Sequence, residues 1–412
     1  MNIGYHRLGG NFELFRPDTL ASITDVERIP RVRSMVEQGH NLIILSPMDS
    51  FDRKIYKSRG NSLIRFPKFF YKLQCPLEDI SKIDQLDEYI DQLDVLFIEC
   101  GPTNTTYGDV FGMTYWQLLS YILKRYEGTV VYFQNDAVLT FPFGELLSTT
   151  PIEGRSPLNI RYIVQTSNIF ENKNWIVLHH ALDEEYWINN AYTRNGKSYA
   201  EILDHFSDVV KFRYVSHPYD GYALDEKYNP SLYWLPNSKN TKYDIVWIGS
   251  RYSSGSGNSG KREDRYVYLE RFLHTDLYKV VVIGRQWEDF VKKHPNIFLG
   301  VIGDIRKTAM LYQMALSTII LDSEVTVKSG YFSFRLYESI FFGTLPMIDS
   351  RYELLNNIIG IEDIVVESQT DVKKALEWWR GLSEDEKTEF RMELLSKFPK
   401  YSDILWEDVM RW

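Results

Sequence analysis

The chain has 412 residues, more than one ordinary hydrophobic core supports, so its length predicts two domains of roughly 150–230 residues each. Apolar residues make up 44% and charged residues 25% of the chain, which is typical of a globular protein and excludes a disordered one. The 47 Lys and Arg against 56 Asp and Glu give a net charge of −9, which argues against a nucleic-acid partner unless basic residues are concentrated locally, because phosphate contacts need Lys and Arg.

The cysteines and the hydrophobic runs bear on the cellular compartment. Cys75 and Cys100 fit no metal or redox spacing, and we interpret them as reduced thiols. The first ten residues, MNIGYHRLGG, lack the apolar stretch of a signal peptide. No apolar run approaches the ~20 residues that span a bilayer. We therefore expect a soluble, intracellular protein without a membrane partner.

Short runs rich in valine and isoleucine alternate along the chain with stretches of helical character. Runs this apolar are typical of parallel strands covered by helices on both faces, so the pattern predicts an α/β fold. The predicted strands are 41–46, 94–100, 129–136, 174–180, 244–250, 279–285, 317–322 and 344–349. The predicted helices are 24–38, 113–126, 265–274, 307–315, 334–342 and 371–382.

A polar segment at 233–242, with one proline and two asparagines, divides the chain into halves of similar size. We expect a doubly wound domain over 1–236, a second one over 237–388, and a helical tail over 389–412 that packs back on the first domain. One large group of glycosyltransferases has two such domains facing each other across a cleft. Ligands of these sheets bind at the carboxyl ends of the strands, so the residues just after each strand are the candidates for chemistry.

The second half offers a candidate phosphate site after its first strand. Ser250 and Arg251 end that strand, and Arg262 follows a Ser/Gly loop and opens a helix. Backbone amides of such a loop form an anion site, and arginines add charge-assisted hydrogen bonds to phosphate. The spacing matches neither the P-loop nor the GxGxxG fingerprint. A flexible surface loop beside a solvated basic turn is an equally good interpretation.

Further along the second half, Gly284 ends the next strand, where backbone could approach a ligand closely. Arg335 and Glu338 are three residues apart and share a helix face. A surface ion pair is the simpler interpretation of this spacing. The functional alternative has the arginine holding a diphosphate and the carboxylate accepting both hydroxyls of a ribose.

The first half offers a candidate general base. Asp136 ends a strongly apolar strand, and partial burial of its carboxyl would raise the pKa towards a useful value. An aspartate that caps the following turn is the alternative. The whole sequence contains no HExxH motif and no D-x-D pair, the latter being the metal-binding signature of single-domain glycosyltransferases. We therefore predict no protein metal site.

A basic segment answers the objection from net charge. Residues 53–72 contain seven basic and no acidic residues, interleaved with aromatic ones, whereas 76–110 carry nine acidic residues and one lysine. Basic residues with aromatics suit phosphate contact and base stacking, although a solvated loop remains the alternative. The predicted DNA contacts are Arg53, Lys54, Lys57, Arg59, Arg65 and Lys68.

Taken together, these segments resemble the DNA β-glucosyltransferases of T-even phages, which glucosylate 5-hydroxymethylcytosine in duplex DNA. The segments that carry the resemblance keep their order over most of the chain. They are VVYFQND at 130–136, DIVWIGS at 244–250, KRE at 261–263, VIGRQWEDF at 282–290, LGVIGDIRK at 299–307, STIILD at 317–322 and FRLYESIFFGTLPMID at 334–349.

The resemblance implies a GT-B fold and a role for each matching residue. Asp136 would be the general base, with Glu27 as the family's second acidic residue. Ser250, Arg251, Arg262 and Arg335 would bind the phosphates of the donor nucleotide. Glu338 would bind its ribose and Ile302 its uracil, and the backbone at Gly284 would lie close to the nucleotide.

The implied function is a phage-encoded, inverting DNA glycosyltransferase, a monomer in the host cytoplasm, that uses a UDP-sugar. Its partner would be double-stranded DNA with hydroxymethylated cytosine flipped out of the helix. The family suggests that Mg²⁺ or Mn²⁺ assists product release. The donor sugar stays open between glucose and a pentose such as arabinose. A GT-B enzyme with a saccharide or small-molecule acceptor, a UDP-sugar epimerase and a non-catalytic nucleotide-binding module are the alternatives.

Overall fold

The computed structural model divides into two compact units. It describes residues 1–7, 31–32, 34–45, 73–74, 84–99, 115–134, 170–190, 198–215, 241–249, 269, 271–273, 277–284, 286–300, 305–322 and 324–412. Unit 1 contains the described residues up to 215 together with 401–412, and unit 2 contains the described residues from 241 to 400.

Unit 1 is built on a seven-stranded sheet. Its strands are β1 (Asn2–Arg7), β2 (Asn41–Ile44), β3 (Leu73–Gln74), β4 (Val95–Glu99), β5 (Gly128–Gln134), β6 (Lys173–His180) and β7 (Val210–Val215). They lie in the order β3-β2-β1-β4-β5-β6-β7, and each pairing is parallel. All five residues of β4 are buried, as in a central parallel strand with both faces covered.

The helices of unit 1 cover this sheet with amphipathic faces. They are α1 (Asp84–Ile90), α2 (Tyr115–Arg125), α3 (Glu184–Asn190) and α4 (Tyr199–Phe206). In α2, Leu118, Leu119, Ile122 and Leu123 are fully buried and form the stripe that a 3.6-residue period turns towards a core. α4 begins at a capping box between Ser198 and Glu201, which satisfies amide groups of the first helical turn.

Unit 2 repeats the architecture with a six-stranded sheet. Its strands are β8 (Tyr243–Ile248), β9 (Val280–Ile283), β10 (Ile297–Gly300), β11 (Ala315–Ile320), β12 (Leu345–Asp349) and β13 (Val365–Val366). All pairings are parallel and the order is β10-β9-β8-β11-β12-β13. The order reverses between β8 and β11, and at such a switch point the strand ends open a crevice for a ligand.

The helices of unit 2 fill the connections between these strands. They are α5 (Glu288–Lys293), α6 (Ile305–Gln313), α7 (Glu324–Lys328), α8 (Arg335–Phe341), α9 (Glu353–Ile359), α10 (Gln369–Gly381) and α11 (Glu384–Ser396). Serines 368 and 383 begin α10 and α11 with capping boxes. α8 is the most enclosed of these helices, with six of its seven residues buried.

The C-terminal segment divides between the units at residue 400, which differs from our expectation of one tail over 389–412. α11 stays with unit 2, because the buried Arg391 donates hydrogen bonds to the carbonyl oxygens of Ile340 and Phe341 at the end of α8. Residues 401–412, with helix α12 (Trp406–Met410), belong to unit 1. There the Trp406 indole N–H donates to the Ser34 hydroxyl.

The sequence pattern located the eight most apolar strands, each of which the structure contains with ends that differ by at most two residues. It missed β1, β3, β7, β10 and β13. The predicted boundary at residues 236 and 237 lies outside the described residues. Within the described part of the chain, no helix is both long enough and apolar enough to cross a membrane.

Candidate functional site

The candidate site lies at the carboxyl edge of the unit 2 sheet. Gly249 directly follows β8 and Gly284 directly follows β9, and the two strands are parallel neighbours. The Gly249 amide donates to the carbonyl oxygen of Ile283 at 2.7 Å, so both glycines sit at the same edge. This position is where doubly wound sheets bind their ligands.

Gly249 allows an arginine to approach the end of β8. A Cβ atom at this position would lie 2.8 Å from Nη2 of Arg335 and 2.9 Å from the ring of Trp247, closer than side-chain atoms normally come. The Arg335 guanidinium carbon lies 5.3 Å from the centre of the Trp247 ring, within the range of a cation–π contact. Glycine is therefore needed here for space, and the arginine packs directly over the strand end.

A second tryptophan, Trp287 in the segment between β9 and α5, contacts the same strand end. The indole N–H of Trp287 donates to the Gly249 carbonyl oxygen at 2.7 Å, and its ring meets that of Trp247 edge-on with centroids 5.1 Å apart. Trp287 is fully buried. Sequence analysis assigned no role to this residue, although it lies inside the segment VIGRQWEDF that carried the resemblance. Its signal was an aromatic side chain three residues after the strand-ending Gly284.

Arg335 and Glu338 do not form the surface ion pair that was the simpler interpretation of their spacing. Glu338 is completely buried, and no ion pair joins these two described residues. One terminal nitrogen of Arg335, Nη1, is buried without a hydrogen-bond partner. The pair thus presents an unused cationic donor and a buried carboxylate, one helical turn apart, at the carboxyl edge of the sheet.

The Glu338 carboxylate has one oxygen occupied and one unused. The hydroxyl of Tyr312, on α6, donates to Oε2 at 3.0 Å, whereas Oε1 is buried with no partner. Burial raises the pKa of Glu338 to about 7, against the lowering effects of the Tyr312 hydrogen bond and the Arg335 charge. An unused carboxylate oxygen inside the protein is an acceptor suited to a hydroxyl group of a ligand.

Solved structures show where this fold recurs. The chain matches a T4 phage β-glucosyltransferase in complex with UDP-glucose at 12% identity and a TM-score of 0.58, over 96% of this chain and 95% of that one. It matches the same enzyme in complex with UDP and Mn²⁺ at 13% identity and a TM-score of 0.58, with the same coverage. An α-glucosyltransferase in complex with UDP and a 13-mer DNA containing an HMU base matches at 13% identity and a TM-score of 0.55, over 100% and 99% of the two chains.

The chain has the fold of the T4 phage glucosyltransferases. The predicted α/β architecture of GT-B type, with two doubly wound units, is thereby confirmed. No protein-family model and no curated protein matches the sequence. At these identities the likeness establishes the fold, and the chemistry has to be argued from the residues of this chain.

Most of the predicted site residues lie outside the described part of the chain. The structure describes Gly284, Arg335 and Glu338, and it places Gly249 next to Arg335 and Ile283 next to Gly249. The predicted residues outside the described ranges are Glu27, Arg53, Lys54, Lys57, Arg59, Arg65, Lys68, Asp136, Ser250, Arg251, Arg262 and Ile302. Their roles stay predictions.

The described residues do not offer a protein site for a divalent cation. Across these ranges, no group of three or more His, Cys, Asp or Glu side chains could hold a metal ion. The carboxyl edge of unit 2 does contain Asp349, but the Arg351 guanidinium is bound to its carboxylate at 2.6 Å.

The carboxyl edge of unit 1 contains a buried polar cluster that the sequence did not reveal. Glu99, the last residue of β4, accepts a hydrogen bond from the Tyr5 hydroxyl and is 3.3 Å from Nη2 of Arg31. The Arg31 guanidinium carbon also lies 4.0 Å from the centre of the Phe133 ring. All four residues are buried. The cluster packs against the end of β5. This strand ends two residues before the predicted base Asp136. Its one sequence signal was an acidic residue at the end of an apolar run.

Proposed function

We propose that the chain is a UDP-sugar-dependent glycosyltransferase that modifies DNA. The observation that carries the proposal is the pair on α8, an arginine with an unused donor and a buried carboxylate with an unused acceptor, at the switch point of the sheet. The similar solved structures are, by their descriptions, complexes with UDP-glucose and with UDP and DNA. A nucleoside diphosphate needs both a cationic donor for phosphate and an acceptor for ribose.

The donor nucleotide would bind across the carboxyl edge of unit 2. Arg335 holds the diphosphate together with Ser250, Arg251 and Arg262, and these cations stabilise the charge that grows on the leaving group. Glu338 accepts the ribose hydroxyls, and Ile302 contacts the uracil ring. Gly249 supports this assignment because its missing side chain leaves room for the guanidinium at the end of β8.

The acceptor would be activated by Asp136. The carboxylate removes the hydroxymethyl proton while that oxygen forms a bond to the anomeric carbon and the bond from this carbon to the diphosphate breaks, releasing UDP. A single displacement inverts the anomeric centre, with Glu27 as a second acidic group. Glucosyltransferases named α and β both share this fold, so the inverting course rests on Asp136 and is part of the proposal.

The acceptor would be 5-hydroxymethylcytosine, flipped out of double-stranded DNA. Its hydroxymethyl oxygen then reaches both the general base Asp136 and the anomeric carbon of the sugar. The basic segment at 53–72, with seven basic and no acidic residues, would supply the phosphate contacts. Glucose and a pentose such as arabinose are both candidates for the transferred sugar.

One experiment tests acceptor, donor and reaction class together. Hydroxymethylated and unmodified duplex DNA are incubated with a panel of UDP-sugars, and the digested nucleosides are analysed by mass spectrometry. We expect one sugar mass added to hydroxymethylcytosine only. Conversion of the UDP-sugar without DNA would indicate an epimerase, and transfer only to a saccharide or small molecule would reject DNA as the acceptor. Nucleotide binding without turnover would indicate a non-catalytic nucleotide-binding module.

A further inference from the structure

Tyr312 is the side chain that contacts the Glu338 carboxylate, and the proposed function assigns it no role. It lies near the end of α6, 26 residues before its partner, and donates to Oε2 at 3.0 Å. Its ring is fully buried. The hydroxyl stays protonated, because burial and the neighbouring Glu338 hold its pKa well above the usual range. Tyr312 is therefore a permanent hydrogen-bond donor to this carboxylate.

The position of Tyr312 is fixed by contacts from the segment that follows α8. The Thr344 hydroxyl donates to the Tyr312 carbonyl oxygen at 2.7 Å, and the Phe342 ring lies 5.7 Å from the tyrosine ring. Because α6 and α8 are thus joined at both the backbone and the ring, the phenolic oxygen has little freedom to move. The hydrogen bond fixes the plane of the carboxylate as well as one of its oxygens.

We propose that Tyr312 is a positioning residue that favours the charged form of Glu338 and turns its free oxygen, Oε1, towards the ribose of a bound UDP-sugar. The inference rests on the proposed function, since it takes the ligand of Glu338 to be a nucleotide ribose. Because Oε2 accepts the Tyr312 hydroxyl, an added proton would lie on Oε1, and a ribose hydroxyl can donate to Oε1 only while the carboxylate is charged. The tyrosine favours the charged form by donating to it.

Few other groups act on this carboxylate. Among the described residues, Tyr312 on α6 and Arg335 on α8 itself are the titratable or charged groups that affect it. Arg391 reaches α8 from α11 but donates to the carbonyl oxygens of Ile340 and Phe341. Asp349, at the end of the neighbouring β12, is paired with Arg351. A change at Tyr312 should therefore act on Glu338 directly.

The sign of the resulting pH dependence follows from the charge that the ligand needs. Glu338 has a pKa of about 7 in the folded chain, so below that value the free protein takes up a proton that donor binding must displace. Donor affinity then falls about tenfold for each pH unit below the midpoint. Removing the Tyr312 hydroxyl removes a contact that lowers the pKa, so the midpoint moves to higher pH.

The test measures binding of UDP-glucose by calorimetry from about pH 6 to about pH 9 for the wild type and the Tyr312→Phe variant. UDP-glucose is the probe because its diphosphate diester has no group that titrates in this range. We expect the variant's midpoint to rise by about one pH unit, with affinity near neutral pH about fivefold lower and recovering at high pH. Glu338→Gln should give a weak and pH-independent affinity.

A matched control separates positioning from general packing. Tyr278 is a buried tyrosine of unit 2 whose hydroxyl has no partner, at the opposite edge of the sheet, so Tyr278→Phe should leave the pH profile unchanged. If Tyr312→Phe lowers thermal stability but keeps the wild-type midpoint, the tyrosine is only structural and the inference is wrong. If the wild type binds no UDP-glucose at any pH, the proposed function itself fails and the inference with it.

Discussion

A carboxylate with an unused acceptor oxygen is costly to keep inside a protein. Leaving a buried polar group without a partner costs about 1–3 kcal/mol, and Glu338 and Arg335 on α8 both leave such an atom. Each group also has one contact, from the Tyr312 hydroxyl to Glu338 and from the Trp247 ring to Arg335, so packing accounts for only part of each side chain. A ligand that donates hydroxyls to one and accepts from the other would satisfy both, which is why this site carries the proposed function.

Arg335 should be essential for donor binding. Arg335→Ala removes the guanidinium that packs over Gly249, and we expect the dissociation constant of UDP to rise at least tenfold, since hydrogen bonds to charged groups contribute roughly 1.5–3 kcal/mol. Calorimetric titration with UDP measures the change. Arg380→Ala is the matched control, because that arginine is half exposed and paired with Asp244. An unchanged affinity in the Arg335 variant would remove this residue from the nucleotide site.

Asp136 should be needed for transfer and not for donor binding. Loss of a general base typically slows a reaction by about 10²–10⁴-fold, so Asp136→Ala should abolish measurable transfer to hydroxymethylated DNA while UDP binding stays nearly intact. The near-isosteric Asp136→Asn should behave in the same way. Transfer at the wild-type rate in either variant would show that another group removes the proton.

Spacing in the sequence pointed to Arg335 and Glu338, because three residues in a helix place both on one face. It could not reveal that the pair is buried, since burial depends on what the rest of unit 2 packs against α8. The contact of Tyr312 with Glu338 could not be predicted for the same reason. This contact joins two helices 26 residues apart, and no periodicity within either helix reports it.

At the scale of the elements, α11 holds α8 in place through one side chain. Arg391 is fully buried and donates to the carbonyl oxygens of Ile340 and Phe341 at 2.6 and 3.0 Å. The last carbonyls of a helix lack partners within it, so this arginine satisfies the end of the helix whose beginning carries the proposed nucleotide site. Burial lowers the pKa of Arg391 to about 10, which leaves the guanidinium charged at neutral pH.

Strands differ in how visible they are to sequence analysis, and the reason is their place in the sheet. Most central strands are buried on both faces and appear as continuous apolar runs. The central strand β1 is an exception, because its sequence NIGYHR mixes apolar residues with glycine, polar and charged ones. β7 is an edge strand of unit 1 that exposes Lys211, Arg213 and Tyr214, and β10 is an edge strand of unit 2 that exposes Phe298 and Leu299. Because buried and exposed residues are mixed in these strands, their sequences lack the continuous apolar run by which a central strand is recognised.

α12 should contribute strongly to the stability of unit 1. Trp406 is fully buried, meets the Phe97 ring edge-on at 6.4 Å, and its amide donates to the Gln38 side chain at 3.1 Å. Trp406→Ala should lower the free energy of unfolding by about 3–5 kcal/mol, measured by chemical denaturation. Leu405→Ala, at an exposed neighbouring position, should change it by less than about 0.5 kcal/mol. Equal effects of the two substitutions would contradict the packing of this helix on unit 1.

At the scale of the whole molecule, charge is distributed unevenly along the chain. Residues 53–72 carry seven basic residues and no acidic one, whereas 76–110 carry nine acidic residues and one lysine. A net charge of −9 therefore limits non-specific attraction to DNA without excluding a localised contact.

Neutralising part of the basic segment should weaken DNA binding and its dependence on salt. Each lost phosphate contact lowers the slope of log affinity against log salt by about 0.9, so Lys54→Ala, Lys57→Ala and Arg59→Ala together should reduce it by about two to three. Binding to duplex DNA at several salt concentrations measures this slope. The control replaces Lys292, Lys373 and Lys374, three exposed lysines of unit 2. The same slope in both triple variants would place the DNA contact elsewhere.

The return of residues 401–412 to unit 1 has a consequence for how the protein is made. The Trp406 side chain fills the unit 1 core beside Phe97, yet the ribosome synthesises it only after all of unit 2. Unit 1 therefore emerges first, and its core lacks the Trp406 side chain until unit 2 has been translated. Unit 1 should gain its full resistance to proteolysis only when α12 leaves the ribosomal exit tunnel, and nascent chains stalled before residue 401 should lack it.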